Sequence, residues 1–208
     1  DYAFNPNIKP SDQSAITLKG NSKKLKLKAE LPFYVLSFPV PSLSTVDNDK
    51  TAYTLEMLAY VLDNGLSKSL IRNQQIASSI GVGYRLYDKY DTLFTLSFIP
   101  ANGVSNDTVL KAIKTQVTEL INNPNFIQGE LSRTKAQLEA DFVFEQDQIS
   151  TQSYYLGMLS AVGLGVDKMF TYVDNMNSIK ASEVSEIAKQ YLNFNDANSV
   201  ELIPQGIK

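Results

Sequence analysis

Asp47 to Ile99 reads DNDKTAYTLEMLAYVLDNGLSKSLIRNQQIASSIGVGYRLYDKYDTLFTLSFI, and the fold turns on this stretch. Between Asp47 and Asp63, the residues Ala52, Leu55, Ala59 and Leu62 recur three and four apart with Leu58 beside them, which predicts an amphipathic helix. Gly65 is expected to stop it, as glycine commonly does just past a helix end. After a connector over Leu66 to Gln75, Ile80, Val82, Tyr84 and Leu86 alternate with Ser79, Gly81, Gly83 and Arg85. Beyond Asp88-Lys89-Tyr90-Asp91, Phe94, Leu96 and Phe98 alternate with Leu93, Thr95 and Ser97. Period two on both sides of a polar four-residue break predicts an antiparallel hairpin.

Upstream, Lys24 to Glu30 alternates charged residues with Leu25, Leu27 and Ala29, the pattern of a half-buried strand. Leu31 to Val40 is apolar at neighbouring positions, as a central strand requires, and Pro39 and Pro41 are expected to end it. Residues 1–17 read as an extended lead-in or linker. Downstream, Ser105 or Asn106 can cap a helix carrying Leu110, Ile113, Val117 and Leu120, closed by Asn122-Asn123-Pro124. From Gly129, Leu131, Thr134, Leu138, Phe142, Glu145 and Ile149 share a stripe that predicts one long helix running towards Gly157. A shorter helix over Val166 to Met176 follows, then one capped by Ser182 with Val184, Ile187, Ala188 and Tyr191, and a closing strand over Ser199 to Ile203. The order has no regular strand-helix alternation, so a parallel doubly wound sheet is not expected. The predicted class is α+β: residues 18–208 as one two-layer domain, a mainly antiparallel sheet with helices packed on one face.

Composition narrows function. At 208 residues with 43% hydrophobic and 20% charged residues, the chain has the makings of a globular core. A net charge of -3 supplies no positive field for nucleic acid, and the one basic run, Lys23 to Lys28, alternates with leucines. No stretch approaches a membrane-spanning length of apolar residues. The sequence contains no histidine and no cysteine. A zinc site held by this chain alone is therefore not expected, and cysteine or imidazole-based nucleophilic catalysis is excluded. The start at Asp1, without methionine or signal sequence, suggests a processed product or a fragment of something longer.

Five patterns could carry chemistry or contact. Gly81-Val82-Gly83 resembles the opening of a dinucleotide fingerprint, but it lies within a strand and lacks a third glycine, so a bulge or close approach of a neighbouring chain or ligand backbone reads better. Ser132 and Lys135 have the serine-x-x-lysine spacing of acyl enzymes without the accompanying elements, which leaves an exposed polar helix face. Glu139, Asp141, Glu145 and Asp147 match no calcium loop and read as a solvated face, although two carboxylates can serve as an acid/base pair. Arg72 could hold a carboxylate or backbone carbonyls with its planar fork, or simply pair with a surface acid. Tyr84, Tyr87 and Tyr90 read as either core edge or contact surface.

The order of Leu31-Pro32-Phe33-Tyr34-Val35 to Pro41, Ala52 through Leu58-Ala59 to Leu62-Asp63-Asn64-Gly65-Leu66-Ser67, Leu70-Ile71-Arg72 with Ile76-Ala77-Ser78, Phe94-Thr95-Leu96, Gly129-Glu130-Leu131, Tyr191-Leu192 and Val200 to Pro204 resembles the C-terminal, non-catalytic domain of insulinase/pitrilysin-like zinc peptidases. It is most similar to their bacterial processing-peptidase-like branch, over nearly the whole chain from about residue 18. The resemblance implies a clamshell of two similar halves. One carries zinc on H-x-x-E-H; the other, lacking it, closes over the peptide. This chain would be the second half, with zinc in a partner half that is an N-terminal domain or a separate subunit, and a dimer among the arrangements left open. The family's arginine matches Arg72. The tyrosine expected seven residues later is replaced by Ser79, with Ser78 before it and Tyr84 the nearest tyrosine, so the predicted substrate-binding residues are Arg72 and Tyr84, with no catalytic residue. A periplasmic or cell-envelope setting is what similar bacterial proteins imply. The rival reading is a structural scaffold or assembly domain of the same fold, without a role in proteolysis.

Overall fold

The computed structural model describes residues 20–146 and 148–205, so the expected lead-in over residues 1–17 lies outside them. Its strands are β1 (Ser22–Leu27), β2 (Phe33–Val40), β3 (Ala77–Gly83), β4 (Thr92–Pro100) and β5 (Asn198–Pro204), in one sheet ordered β1-β5-β2-β4-β3. The pairs β2–β4, β2–β5 and β3–β4 are antiparallel, and β1–β5 is parallel. β2 is the central strand, as its apolar run predicts.

Strand alternation sorts the sheet into two faces. Leu36 lies opposite Leu96 and Phe38 opposite Phe94, and all four are buried with Val40 and Phe98. Tyr34 stacks on Phe98 with ring centroids 5.0 Å apart. The helix layer lies on this side, with α1 (Asp49–Leu66), α2 (Asn106–Asn122), α3 (Gln128–Gln146), α5 (Asp167–Ser178) and α6 (Ala181–Tyr191) contributing to the core and α4 (Ile149–Val162) packed on α3 and α5. Each large side chain that leaves water there stabilises the fold by roughly 1.5–3 kcal/mol before cavity effects. On the other face lie Phe33, Val35, Ser37 and Pro39 of β2, beside Val200 and Leu202 of β5 and Leu93, Thr95 and Ser97 of β4. Phe33, Val200 and Leu27 remain exposed.

α1 is the hub of the helix layer. Asn48 caps it through its side-chain oxygen, which accepts from the Lys50 N–H, and the helix packs on β3, α3, α5 and α6. It is buried on nearly every side, as a helix held between a sheet and other helices must be.

Several expectations change. Gly65 does not stop α1, because Leu66 and Leu70 continue the buried stripe beyond it and hold the chain helical; residues Ser67–Asn73 go on as π-helical turns where a plain connector was expected. Pro39 does not end β2 either. It pairs with Leu93 beyond the last β5 partner at Ser37, where a missing N–H costs no bond with β5. The single long helix is two, since α3 ends at Gln146 and α4 starts at Ile149; Ile149 is exposed, so the apolar stripe does not run through. Ser182 lies inside α6. The start of that helix is held by Glu183, whose carboxylate accepts from the Lys180 backbone N–H at 2.8 Å.

Candidate functional site

Arg72 sits in the last π-helical turn, and the chain then reverses into β3 through Gln75, whose φ of 54° is left-handed for a residue with a side chain. The Gln74 N–H donates to the Ser69 carbonyl and the Ile76 N–H to that of Leu70, which fixes the reversal. Arg72 is exposed and makes no hydrogen bond or ion pair among the described residues. Ser78 and Ser79 follow it, also exposed, at the start of a strand that among the described residues has only β4 beside it.

The outer side of β3 is partly occupied. The Val82 N–H points away from β4 and donates to Asp63 Oδ1 of α1 at 2.8 Å. By alternation, Ile80 turns its backbone N–H and C=O the same way, leaving a short length of edge that can accept an extended segment. Tyr84 lies beyond the other end of β3, which six steps of roughly 3.3 Å separate from the Arg72 end by about 20 Å. The structure therefore does not bring Arg72 and Tyr84 together. The Tyr84 hydroxyl donates to the Pro41 carbonyl at 2.8 Å, and burial pushes its pKa up.

The remaining sequence patterns resolve into structure. Gly81 and Gly83 lie in β3 opposite Ser97 and Thr95. A Cβ at either would stand 3.1 Å from the facing hydroxyl oxygen, so the close neighbour is this chain's own β4; the irregularity in β3 is between Ala77 and Ser79 instead. Ser132 and Lys135 form no catalytic pair. The Ser132 hydroxyl donates to the Gln128 carbonyl, while Lys135 Nζ donates to the carbonyls of Asn177 and Ile179 at 2.7 and 2.6 Å, fastening the end of α5. Asp141 accepts from Gln137 and Glu139 is exposed, whereas the Glu145 side chain and Asp147 fall outside what is described. No group of three or more acids, histidines or cysteines is placed to hold a metal among the described residues. Tyr90 lies under Lys89, whose Nζ is 5.6 Å from the ring centroid.

One feature on the far side of α1 escaped sequence reasoning. Glu56 lines a cavity of about 150 Å³ with Tyr60, Tyr87, Leu138, Asp141, Phe142, Thr151, Tyr155, Met169 and Tyr172. Its Oε2 is buried and has no hydrogen-bond partner among the described residues. Burial pushes the Glu56 carboxyl up to about 8, against the opposing pull of a hydrogen bond from Tyr172. Tyr172 in turn shares a hydrogen bond with Tyr60. The signal was present: Tyr53, Glu56 and Tyr60 recur at three and four residues along α1, a second helical stripe with an acid in the middle.

With this geometry in place, the chain can be set beside known proteins. The family described as peptidase M16 inactive domain matches residues 1–138. No curated protein matches the chain in sequence. Among solved structures, a protease from Helicobacter pylori superposes with a TM-score of 0.81 at 16% identity, over 97% of this chain and 49% of that one. The inactive peptidase domain of a candidate zinc protease from Bordetella parapertussis gives 0.72 at 18% identity, over 88% of this chain and 96% of that one. The periplasmic protease PqqL from Escherichia coli gives 0.65 at 16% identity, over 89% of this chain and 21% of that one. This chain thus spans about half the length of the Helicobacter protease. These likenesses bear out the α+β fold.

Proposed function

Because the chain belongs to the peptidase M16 inactive-domain family, we propose that it serves as the non-catalytic half of a zinc protease, closing a peptide chamber over a half that carries H-x-x-E-H. The family's description as inactive agrees with a sequence that has no histidine or cysteine to offer zinc. The metal would sit in the other half and activate the attacking water, while this half supplies position and excludes bulk solvent.

The observation that carries the reading is Arg72. An exposed guanidinium without a partner among the described residues, on a hydrogen-bonded π-helical reversal beside an edge strand, supports a role in binding peptide carbonyls or a carboxylate. The Ile80 backbone extends that contact by strand addition. Tyr84 acts at the other end, holding the Pro41 segment through its proton and offering an incoming peptide only its oxygen. The uncovered sheet face, with Phe33, Val200 and Leu27 in water, is a surface against which a second half can close. A periplasmic or cell-envelope setting is part of this reading, drawn from the Escherichia coli relative.

The test is hydrolysis of a quenched peptide mixture by the chain alone, by a zinc-bearing half alone and by the two together, with zinc measured on each sample. Activity and zinc are expected only where the zinc-bearing half is present, with faster turnover when this chain is added. Arg72→Ala should lower kcat/KM of the pair by roughly ten-fold or more, the loss of one charge-assisted contact. Hydrolysis by the isolated chain would refute the non-catalytic role. A competent zinc-bearing half indifferent to this chain would turn the reading to a scaffold domain.

A further inference from the structure

The cavity around Glu56 lies on the helix side of α1 and plays no part in the peptide reading above. Among its described lining residues two are acids, Glu56 and Asp141, and none is lysine or arginine. Five are aromatic: Tyr60, Tyr87, Phe142, Tyr155 and Tyr172. Aromatic faces around a carboxylate attract an organic cation, because the ring quadrupole is negative where the cation sits and the acid supplies the full counter-charge. Glu56 Oε2, buried and without a partner among the described residues, calls for a hydrogen-bond donor.

From this we infer that the cavity binds a primary alkylammonium group, with Glu56 as its counter-ion and the tyrosines as its walls. A quaternary ammonium has no N–H to satisfy Oε2. A metal ion would find two carboxylates where hard cations take six or more oxygens, and the described residues hold no third acid close enough. A cavity of about 150 Å³ accepts a molecule of benzene's size, and an ammonium on a four-carbon stem has fewer heavy atoms than that. Such a stem is found on small free amines and on a lysine side chain alike. The helices α3, α4 and α5 contribute Asp141, Tyr155 and Tyr172, so an occupant would tie all three to α1.

Binding has a proton signature. The desolvated Glu56 carboxyl holds its proton near neutrality, and an ammonium beside it favours the ionised form, so the proton passes to buffer as the amine enters. Of the other titratable groups facing Glu56, burial pushes Tyr53, Tyr84, Tyr87 and Tyr172 up, so they keep their protons at that pH; Tyr60, Tyr155 and Asp141 complete the titratable lining.

Calorimetric titration of the 208-residue chain at neutral pH, in two buffers of different ionisation enthalpy, tests this with n-butylammonium, N-acetyl-lysine amide, tetramethylammonium and 1-butanol. The expected result is saturable binding of n-butylammonium with release of close to one proton, weaker binding of tetramethylammonium and none of butanol. Glu56→Gln, which keeps the shape, should weaken the amine about ten-fold and abolish proton release; Asp141→Asn, at the exposed mouth, should weaken it several-fold with release retained. Equal binding of N-acetyl-lysine amide identifies a lysine side chain as the source, and binding of the free amine alone identifies a small metabolite. Butanol binding as well as the amine, an amine affinity unchanged by Glu56→Gln, or no amine binding at millimolar concentration would overturn the assignment and leave the cavity to trapped water.

Discussion

On β4, Phe94, Leu96 and Phe98 are at most 1% exposed, whereas Phe33, Val200 and Leu27 on the opposite side of the same sheet keep 40–50% of their surface in water. Both sides alternate in the same strands and both carry large apolar residues. The difference lies in what the chain sets against them. A layer of helices covers one side, and no described element of this chain covers the other. A sheet of this kind is stabilised from one side, and its second side keeps apolar surface in water.

The contrast can be broken by substitution. Phe98→Ala on the covered side should cost about 3–5 kcal/mol, read as a fall in the denaturant midpoint at unchanged slope, since the surrounding core cannot collapse into the space. A small cost would mean that the helix layer is loosely packed.

A second change tests whether the covered side is uniformly dry. Glu56 has a folded-state pKa of about 8 against an ordinary 4.5, so folding favours its protonated form. The stability associated with that form is complete below about pH 4.5 and is lost as pH rises through about 8, by a few kcal/mol at most. Thermal melts should fall in Tm over that window, and Glu56→Gln should flatten the slope. Glu201, held low by its hydrogen bond from Lys24, acts only at more acid pH.

Smaller effects sharpen the comparison. Gly65→Ala should stabilise by roughly 0.5–1 kcal/mol, since the residue is inside α1 and a Cβ there meets nothing within 4 Å. A destabilised variant would show that the helix end needs the flexibility that a stop at Gly65 implies. Last, Phe33→Ser on the open side should change stability by no more than about 0.5 kcal/mol, the range of surface substitutions. Its effect should appear instead as weaker association with a zinc-bearing half, measured by titrating the two.

The sequence disclosed what depends on short-range pattern. The stripe of Ala52, Leu55, Ala59 and Leu62, the alternation of Phe94, Leu96 and Phe98, and the cap at Ser105 all lie where spacing placed them. It misled where a long-range contact overrides a local signal. Leu66 and Leu70 are held in the core and carry helical turns past Gly65, and Gln75 adopts a conformation that no glycine or asparagine announces. The candidate site was legible only in part. Arg72 could be marked as a binder, but the distance to Tyr84 and the proton that Tyr84 gives to Pro41 belong to tertiary structure. Glu56 was hidden for a related reason: an acid on a helix normally faces water, and only the arrival of α3, α4 and α5 encloses this one.

The parallel pairing of β1 with β5 bears on how the molecule is made. β5 lies between β1 and β2, so two strands from the first forty residues wait for residues 198–204 before either gains that neighbour. At roughly 5–20 residues per second, a ribosome needs on the order of ten to thirty seconds to supply the intervening stretch. Through that interval β1 has no strand partner among the described residues and the apolar β2 is open on one side, while the β3–β4 hairpin and α1 already have their own contacts. This stretch of the nascent chain is thus exposed to misassociation at β1 and β2 until β5 slides in between them.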